Sequence, residues 1–120
     1  MEYSVRKAAD AAAEATEADW GSLTWLAGGR IGNTKGLTLG RVVIRAGRRN
    51  PAHSHANCEE ALYLLAGKLE HFIGEASVVL EPGDTLTVPP DVPHWARSIG
   101  DEDADMIVVY DSANRDFRKH

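Results

Sequence analysis

Two histidines, His53 and His55, are followed closely by two neighbouring acids, Glu59 and Glu60. Alternate residues of a β-strand point to the same face, so His53 and His55 can direct both imidazoles at one point. Imidazole nitrogens and carboxylate oxygens are common ligands of divalent transition metals. The spacing therefore predicts a metal site that takes both histidines and one acid.

A third histidine, His94, ends a segment with strong local signals. A Pro82-Gly83 turn comes first, then a short alternating strand, then a Pro89-Pro90 bend. These signals predict that His94 stands at the start of another strand. It can join the first two histidines if the two strands are neighbours.

The two segments together resemble the two sequence motifs of the cupin superfamily. The matching positions are Gly47, His53, His55, Glu60 and Gly67 in the first motif, and Gly83, Pro89 and His94 in the second. Asp91 and Ser98 stand where the family usually has glycine and asparagine. The resemblance implies a small single-domain cupin with His53, His55, Glu60 and His94 as metal ligands.

The choice between the two acids depends on where the strand breaks. An uninterrupted strand would place Glu59 on the histidine face, since it shares their parity. The cupin spacing selects Glu60, which requires a turn around residues 56–58. Glu60 also shares parity with Leu62 and Leu64, which we expect to line the interior. We therefore expect Glu60 to be the ligand and Glu59 to be an acid at the rim of the site or an ordinary surface carboxylate.

Short strands must position these side chains. Apolar or alternating runs rich in β-branched and aromatic residues are separated by glycine and proline turns. The predicted strands are 22–27, 37–46, 61–66, 69–73, 77–80, 85–88, 95–99 and 106–110. Regular short strands predict an all-β antiparallel sandwich or barrel. The cupin resemblance specifies a jelly roll, the double-stranded β-helix.

The N-terminal segment has a different composition. Residues 5–16 are rich in alanine and favour a helix, with Ser4 as a possible cap. Few bulky apolar side chains are available to hold it against a core, so a loose arm is the alternative. We predict a helix or arm over 1–19 and a barrel domain over 20–120. A length of 120 residues suits one domain.

Charge and cysteine content narrow the partners and the compartment. The net charge is −5 with scattered basic residues, which argues against nucleic acid as a partner. Arg41, Arg45, Arg48 and Arg49 form the one local excess; we interpret them as surface charges, with a grip on a substrate carboxylate or phosphate as the alternative. The single cysteine, Cys58, excludes an intrachain disulfide and predicts a cytoplasmic protein. No apolar run suggests a membrane partner.

The expected site leaves several functions open. Three imidazoles and one carboxylate suit Fe, Mn, Ni, Co, Cu or Zn. Four protein ligands leave positions for a chelating small molecule, which favours an enzyme. The cupin resemblance implies an enzyme of dioxygenase, isomerase or lyase type; a non-catalytic sensor or storage protein for a sugar or organic acid is the alternative. Glu59 and His71 are the candidate proton-transfer residues.

Assembly is predicted from surplus apolar residues. Residues 62–65 and 107–109 are apolar at both parities, so one barrel interior cannot bury all of them. We therefore expect a homodimer that covers the second face.

Overall fold

Alternating burial shows how the sequence produces the strands. A computed structural model describes residues 1–120. In the strand Ala104–Tyr110, every second side chain is buried and the others are partly exposed. The elements are α1 (Ala8–Ala13), β1 (Thr16–Ala18), β2 (Gly21–Ala27), β3 (Thr38–Ile44), β4 (His53–Ser54), β5 (Glu60–Ala66), β6 (Leu69–Ile73), β7 (Ala76–Leu80), β8 (Thr85–Val88), β9 (His94–Ser98), β10 (Ala104–Tyr110) and β11 (Arg118–Lys119).

The strands form two antiparallel sheets. One has six strands in the order β1-β2-β3-β10-β5-β8, and the other has five in the order β11-β4-β9-β6-β7. Every strand pair is antiparallel. This architecture confirms the predicted all-β jelly roll. Neighbours in the sheets are often distant in sequence, as in β4 with β9, so the fold brings the two histidine segments together.

The N-terminal segment is more ordered than an arm and less helical than expected. α1 covers Ala8–Ala13 only, and Lys7 occupies the cap position without a side-chain hydrogen bond. Ser4 therefore does not cap the helix as predicted. β1 pairs with β2 and so extends the six-stranded sheet. The boundary between the N-terminal segment (1–19) and the barrel domain (20–120) stays a prediction. No helix is long and apolar enough to cross a membrane.

The apolar core lies between the two sheets. Its twelve buried residues are Val42, Ile44, Cys58, Leu62, Leu64, Leu69, Leu80, Ala96, Ala104, Met106, Val108 and Tyr110. Cys58 is thus buried and unpaired, as the composition predicts. Along β5, the inward face carries Glu60, Leu62 and Leu64 in succession. The apolar lining therefore gives way to a carboxylate at one end of the strand.

Candidate metal centre

Three strands bring the predicted ligands to that end of the interior. His53 on β4 stands directly opposite His94 on β9, and His55 follows β4. Glu60 begins β5 on the inward face. One ligand atom from each of these four residues lies within 4.8 Å of all the others. All four side chains are at least nine-tenths shielded from solvent.

Backbone carbonyls fix the orientation of each imidazole. The Nδ1 atoms of His53, His55 and His94 lie 2.7, 2.6 and 2.9 Å from the carbonyl oxygens of Pro51, Asp116 and Val92. A carbonyl oxygen can only accept, so each Nδ1 must carry the proton and donate it. In the neutral rings, every Nε2 then presents a lone pair. This is the arrangement in which a histidine binds a metal through Nε2.

The lone pairs need a cation between them. His94 Nε2 lies 3.1 Å from Glu60 Oε1, and His55 Nε2 lies 3.4 Å from the same oxygen. Imidazole lone pairs and a carboxylate oxygen repel one another at these distances unless a proton or a metal ion lies among them. His55 Nε2 is moreover buried without any hydrogen-bond partner. The donor set fits a divalent transition metal, and these four residues could hold one.

The pKa values reflect the same crowding. Burial lowers the pKa of His53 to about 4. Burial would raise the pKa of Glu60, but the close approach of His55 and His94 outweighs it and lowers that pKa below its ordinary value. Burial also disfavours protonated His94, yet the hydrogen bond with Glu60 outweighs burial and raises the pKa of His94. Without a metal, one proton is therefore held mainly between Glu60 and His94.

A cavity of about 110 Å³ opens beside three of the four residues. One water molecule needs only about 10–15 Å³ by this measure, so a small organic molecule can enter. Its polar lining consists of Asn50, His53, Glu60, His71, His94 and Arg115. The other lining side chains are mostly apolar or aromatic, among them Trp20, Leu23, Trp25, Val42, Leu62, Met106, Val108, Tyr110 and Phe117.

The two candidate proton-transfer residues lie in different places. His71 lines the cavity, and its ring stacks on His94 with 5.7 Å between centroids. Its Nδ1 is buried without a hydrogen-bond partner, and burial lowers its pKa to about 4. Glu59 is exposed and does not line the cavity; its backbone amide donates to Asp111. The structure thus brings His71, but not Glu59, to the site.

Sequence reasoning missed the segment after the last predicted strand. Residues 111–120, which we call the C-terminal strap, cross over the site and end in β11, which pairs with β4. The carbonyl oxygen of Asp116 accepts from His55, and Phe117 stacks on His53 with ring centroids 5.0 Å apart. The strap has no strand-like alternation, so only its ring-bearing and cationic residues could have drawn attention to it, namely Arg115, Phe117, Arg118, Lys119 and His120.

None of the four arginines considered as substrate-binding residues lines the cavity; these are Arg41, Arg45, Arg48 and Arg49. Arg41 forms two hydrogen bonds with Asp105, at 2.8 and 2.6 Å, and so its guanidinium is already paired. Arg45 lies 4.0 Å from Glu17, and Arg49 stacks on Trp95. The cavity arginine is Arg115.

Two antiparallel sheets around an inward-facing three-histidine, one-carboxylate cluster define a metal-site jelly roll. A family model described as "Cupin domain" matches residues 40–110, which is more than half of the chain. The chain belongs to the cupin family. This confirms the resemblance of the two sequence motifs.

Related proteins share part of their length with this chain. A germin-like protein 3-8 from Oryza sativa subsp. japonica is 35% identical over 85 residues, which are 67% of this chain and 38% of the relative. A polyketide synthase CurC from Streptomyces cyaneus is 34% identical over 77 residues, 64% of this chain and 49% of the relative. The chain thus spans half or less of the length of these relatives.

Solved structures agree on the fold. An oxalate decarboxylase from Bacillus subtilis superposes with a TM-score of 0.84 at 19% identity, over 92% of this chain and 30% of that one. A structure of oxalate oxidase gives a TM-score of 0.76 at 24% identity, over 86% of this chain and 56% of that one. At these identities the likeness establishes the fold alone.

Proposed function

We propose that the protein is a metal-dependent cupin enzyme that acts on a small polar molecule with adjacent oxygen donors. The observation that carries the proposal is the convergence of three oriented imidazoles and one carboxylate beside a cavity. The structures of the similar oxalate enzymes include a complex of oxalate oxidase with glycolate, which has adjacent carboxylate and hydroxyl oxygens.

The chain's own residues have distinct roles in this proposal. His53, His55, Glu60 and His94 would hold the ion, and the carbonyls behind the histidines fix the proton on Nδ1 and leave each Nε2 free to bind it. A bound divalent ion supplies Lewis acidity or redox chemistry to a chelated substrate. The aromatic and aliphatic lining excludes water, which strengthens electrostatic interactions inside the cavity.

His71 is the proposed proton-transfer residue. It lies on the cavity wall, is neutral near pH 7, and leaves Nδ1 without a protein partner. Such a nitrogen can accept a proton from a bound molecule or return one. Glu59 is exposed outside the cavity, and it would require a movement of the chain to act there.

Metal content tests the foundation of the proposal. We expect about one first-row transition metal ion per chain in the purified protein and almost none in a His53→Ala/His55→Ala double mutant, because removing two ligands leaves only a carboxylate and one imidazole. His120→Ala is the matched control, since it removes an imidazole that hydrogen-bonds Ser54 outside the cluster. Equal metal content in wild type and double mutant, measured by elemental analysis, would remove the claim.

A turnover assay distinguishes the proposed enzyme function from the alternative of a non-catalytic sensor or storage protein. Protein loaded with Fe, Mn, Ni or Zn should convert, or consume O₂ with, at least one member of a panel of hydroxy acids, 2-oxo acids, diols and catechols. Glu60→Gln should slow this strongly, since it removes the only anionic ligand. If panel members raise the melting temperature of the protein while none is converted with any metal, the non-catalytic binding function replaces the enzyme.

A further inference from the structure

The C-terminal strap places one positive charge in the cavity without an internal partner. Arg115 lines the cavity together with His53, Glu60 and His94. None of the ion pairs in the structure includes Arg115. Its guanidinium is instead surrounded by rings, with its Cζ 4.5 Å from the centroid of Trp25, 5.2 Å from Tyr110 and 5.4 Å from Phe117.

The same rings connect Arg115 with the ligand histidines. The Tyr110 ring lies 4.9 Å from the His55 ring, and the Phe117 ring lies 5.0 Å from the His53 ring. Arg115 is therefore one aromatic ring away from two of the four proposed ligands. A molecule that fills the cavity can contact the proposed ligand residues and Arg115 at once.

Hydrogen bonds on both sides of Arg115 hold it in place. The Asn57 side chain donates to the Asn114 carbonyl at 2.9 Å, and the Asp116 amide donates to the Asn57 side-chain oxygen at 2.8 Å. Both strap residues that flank Arg115 are thus tied to the loop that follows His55. The backbone that carries Arg115 is therefore anchored before any ligand binds, which reduces the entropy lost on binding.

The charge of the site selects an anion. A divalent ion with one carboxylate ligand has a net charge of about +1, and Arg115 adds another positive charge beside it. Aromatic faces hold a guanidinium through its π surface and leave its N–H edge free to donate. A carboxylate accepts two parallel hydrogen bonds from such an edge.

We propose that Arg115 recognises the substrate. The substrate is then a small molecule whose carboxylate binds Arg115 and whose second oxygen donor binds the metal ion held by the four ligand residues. This proposal deepens the proposed function and rests on it for the metal contact. The positive charge of Arg115 is present whether or not a metal ion is bound. Recognition of the carboxylate charge can therefore be measured separately from metal binding.

Glycolate and glycolamide provide a matched pair of probes. Both carry a hydroxyl group and have nearly the same size, but only glycolate is charged. Calorimetric titration of the Mn-loaded wild type should show glycolate binding at least about 10-fold more tightly, as expected when charge-assisted hydrogen bonds are formed. In EDTA-treated protein the preference should be weaker but still present.

Variants assign the preference to Arg115. Arg115→Met keeps an apolar stem among the rings and should abolish the preference of the EDTA-treated protein, with the metal content of the Mn-loaded protein unchanged; Arg115→Lys should retain part of the preference. Arg118→Met is the control, because Arg118 lies on the same strap but outside the cavity. Equal binding of the two probes by wild type, survival of the preference in EDTA-treated Arg115→Met, or its equal loss in Arg118→Met would each overturn the proposal. Absence of metal from wild type would instead contradict the proposed function.

Discussion

At the scale of single residues, the site depends on which nitrogen carries each proton. Backbone carbonyls accept a hydrogen bond from the Nδ1–H of all three histidines. A further proton and a metal ion must therefore compete for each Nε2. The competition differs among the rings. Burial lowers the pKa of His53 to about 4, whereas the hydrogen bond with Glu60 outweighs burial and raises the pKa of His94.

Metal binding should therefore release a proton from His94 near neutral pH. The raised pKa means that metal-free protein still binds this proton above pH 6.5, the ordinary imidazole value, and loses it as the pH rises. His53 is already neutral there and releases none. Titration with Ni(II) in buffers of different ionisation enthalpy should show up to one proton released at pH 7 and fewer at pH 9. The same proton count at both pH values would contradict this assignment.

Residue patterns predicted the cluster but not its surroundings. The positions of His53, His55, Glu60 and His94 follow from motif spacing, and the structure brings all four together. Their role as metal ligands stays a prediction. Arg115 could not be found in this way, because its place in the cavity depends on aromatic rings from β2, β10 and the strap rather than on neighbours in sequence.

At the scale of elements, the long strands were predictable and the short ones were not. β6 and β8 have the predicted bounds, and the other long strands differ from prediction by one to two residues at their ends. β1, β4 and β11 have only two or three residues, too few for an alternating pattern. The strap is held by hydrogen bonds to distant loops, which leave no local signal.

Asp91 shows which backbone conformation the loop before His94 requires. Asp91 has φ of 67°, a left-handed conformation that favours the glycine usual at this motif position, and aspartate is one of the few other residues that adopt it readily. Its backbone amide donates to the His55 carbonyl oxygen at 2.8 Å. The departure from the motif therefore preserves the loop that carries His94.

Two glycines of the first motif should respond differently to alanine. Both have positive φ, +80° at Gly47 and +86° at Gly67. A methyl group at Gly47 meets nothing within 4 Å, whereas at Gly67 it would lie 2.6 Å from the Asp103 carbonyl oxygen. Gly47→Ala should cost about 1 kcal/mol of unfolding free energy from backbone strain alone. Gly67→Ala should cost at least about 2 kcal/mol more, since backbone atoms must move.

Urea denaturation of the two glycine variants measures the difference. Gly47→Ala is the control, because it shares the backbone conformation without the steric contact. Equal midpoints for the two variants would show that the close approach between the β5–β6 turn and β10 is not a constraint on the fold.

At the scale of the whole molecule, apolar side chains remain on the outside of the six-stranded sheet. Tyr63 and Leu65 on β5 are both 45% exposed, and Tyr63 lies opposite Ile107 on β10. These exposed residues belong to the segments 62–65 and 107–109, for which the sequence predicted more apolar residues than one interior can bury. Val78 and Val79 on β7 form a second exposed apolar pair, on the other sheet.

We predict that the protein forms a homodimer through the outer face of β5 and β10. Contiguous exposed apolar area on a β-sheet favours association, and a twofold axis lets the same patch cover itself. Light scattering at micromolar concentration should give twice the mass of the chain, and Tyr63→Lys/Leu65→Lys should give a folded monomer. Val78→Lys/Val79→Lys is the matched control and should remain dimeric. A monomeric wild type would contradict the dimer, and a monomer produced by the β7 variant alone would move the interface to the five-stranded sheet.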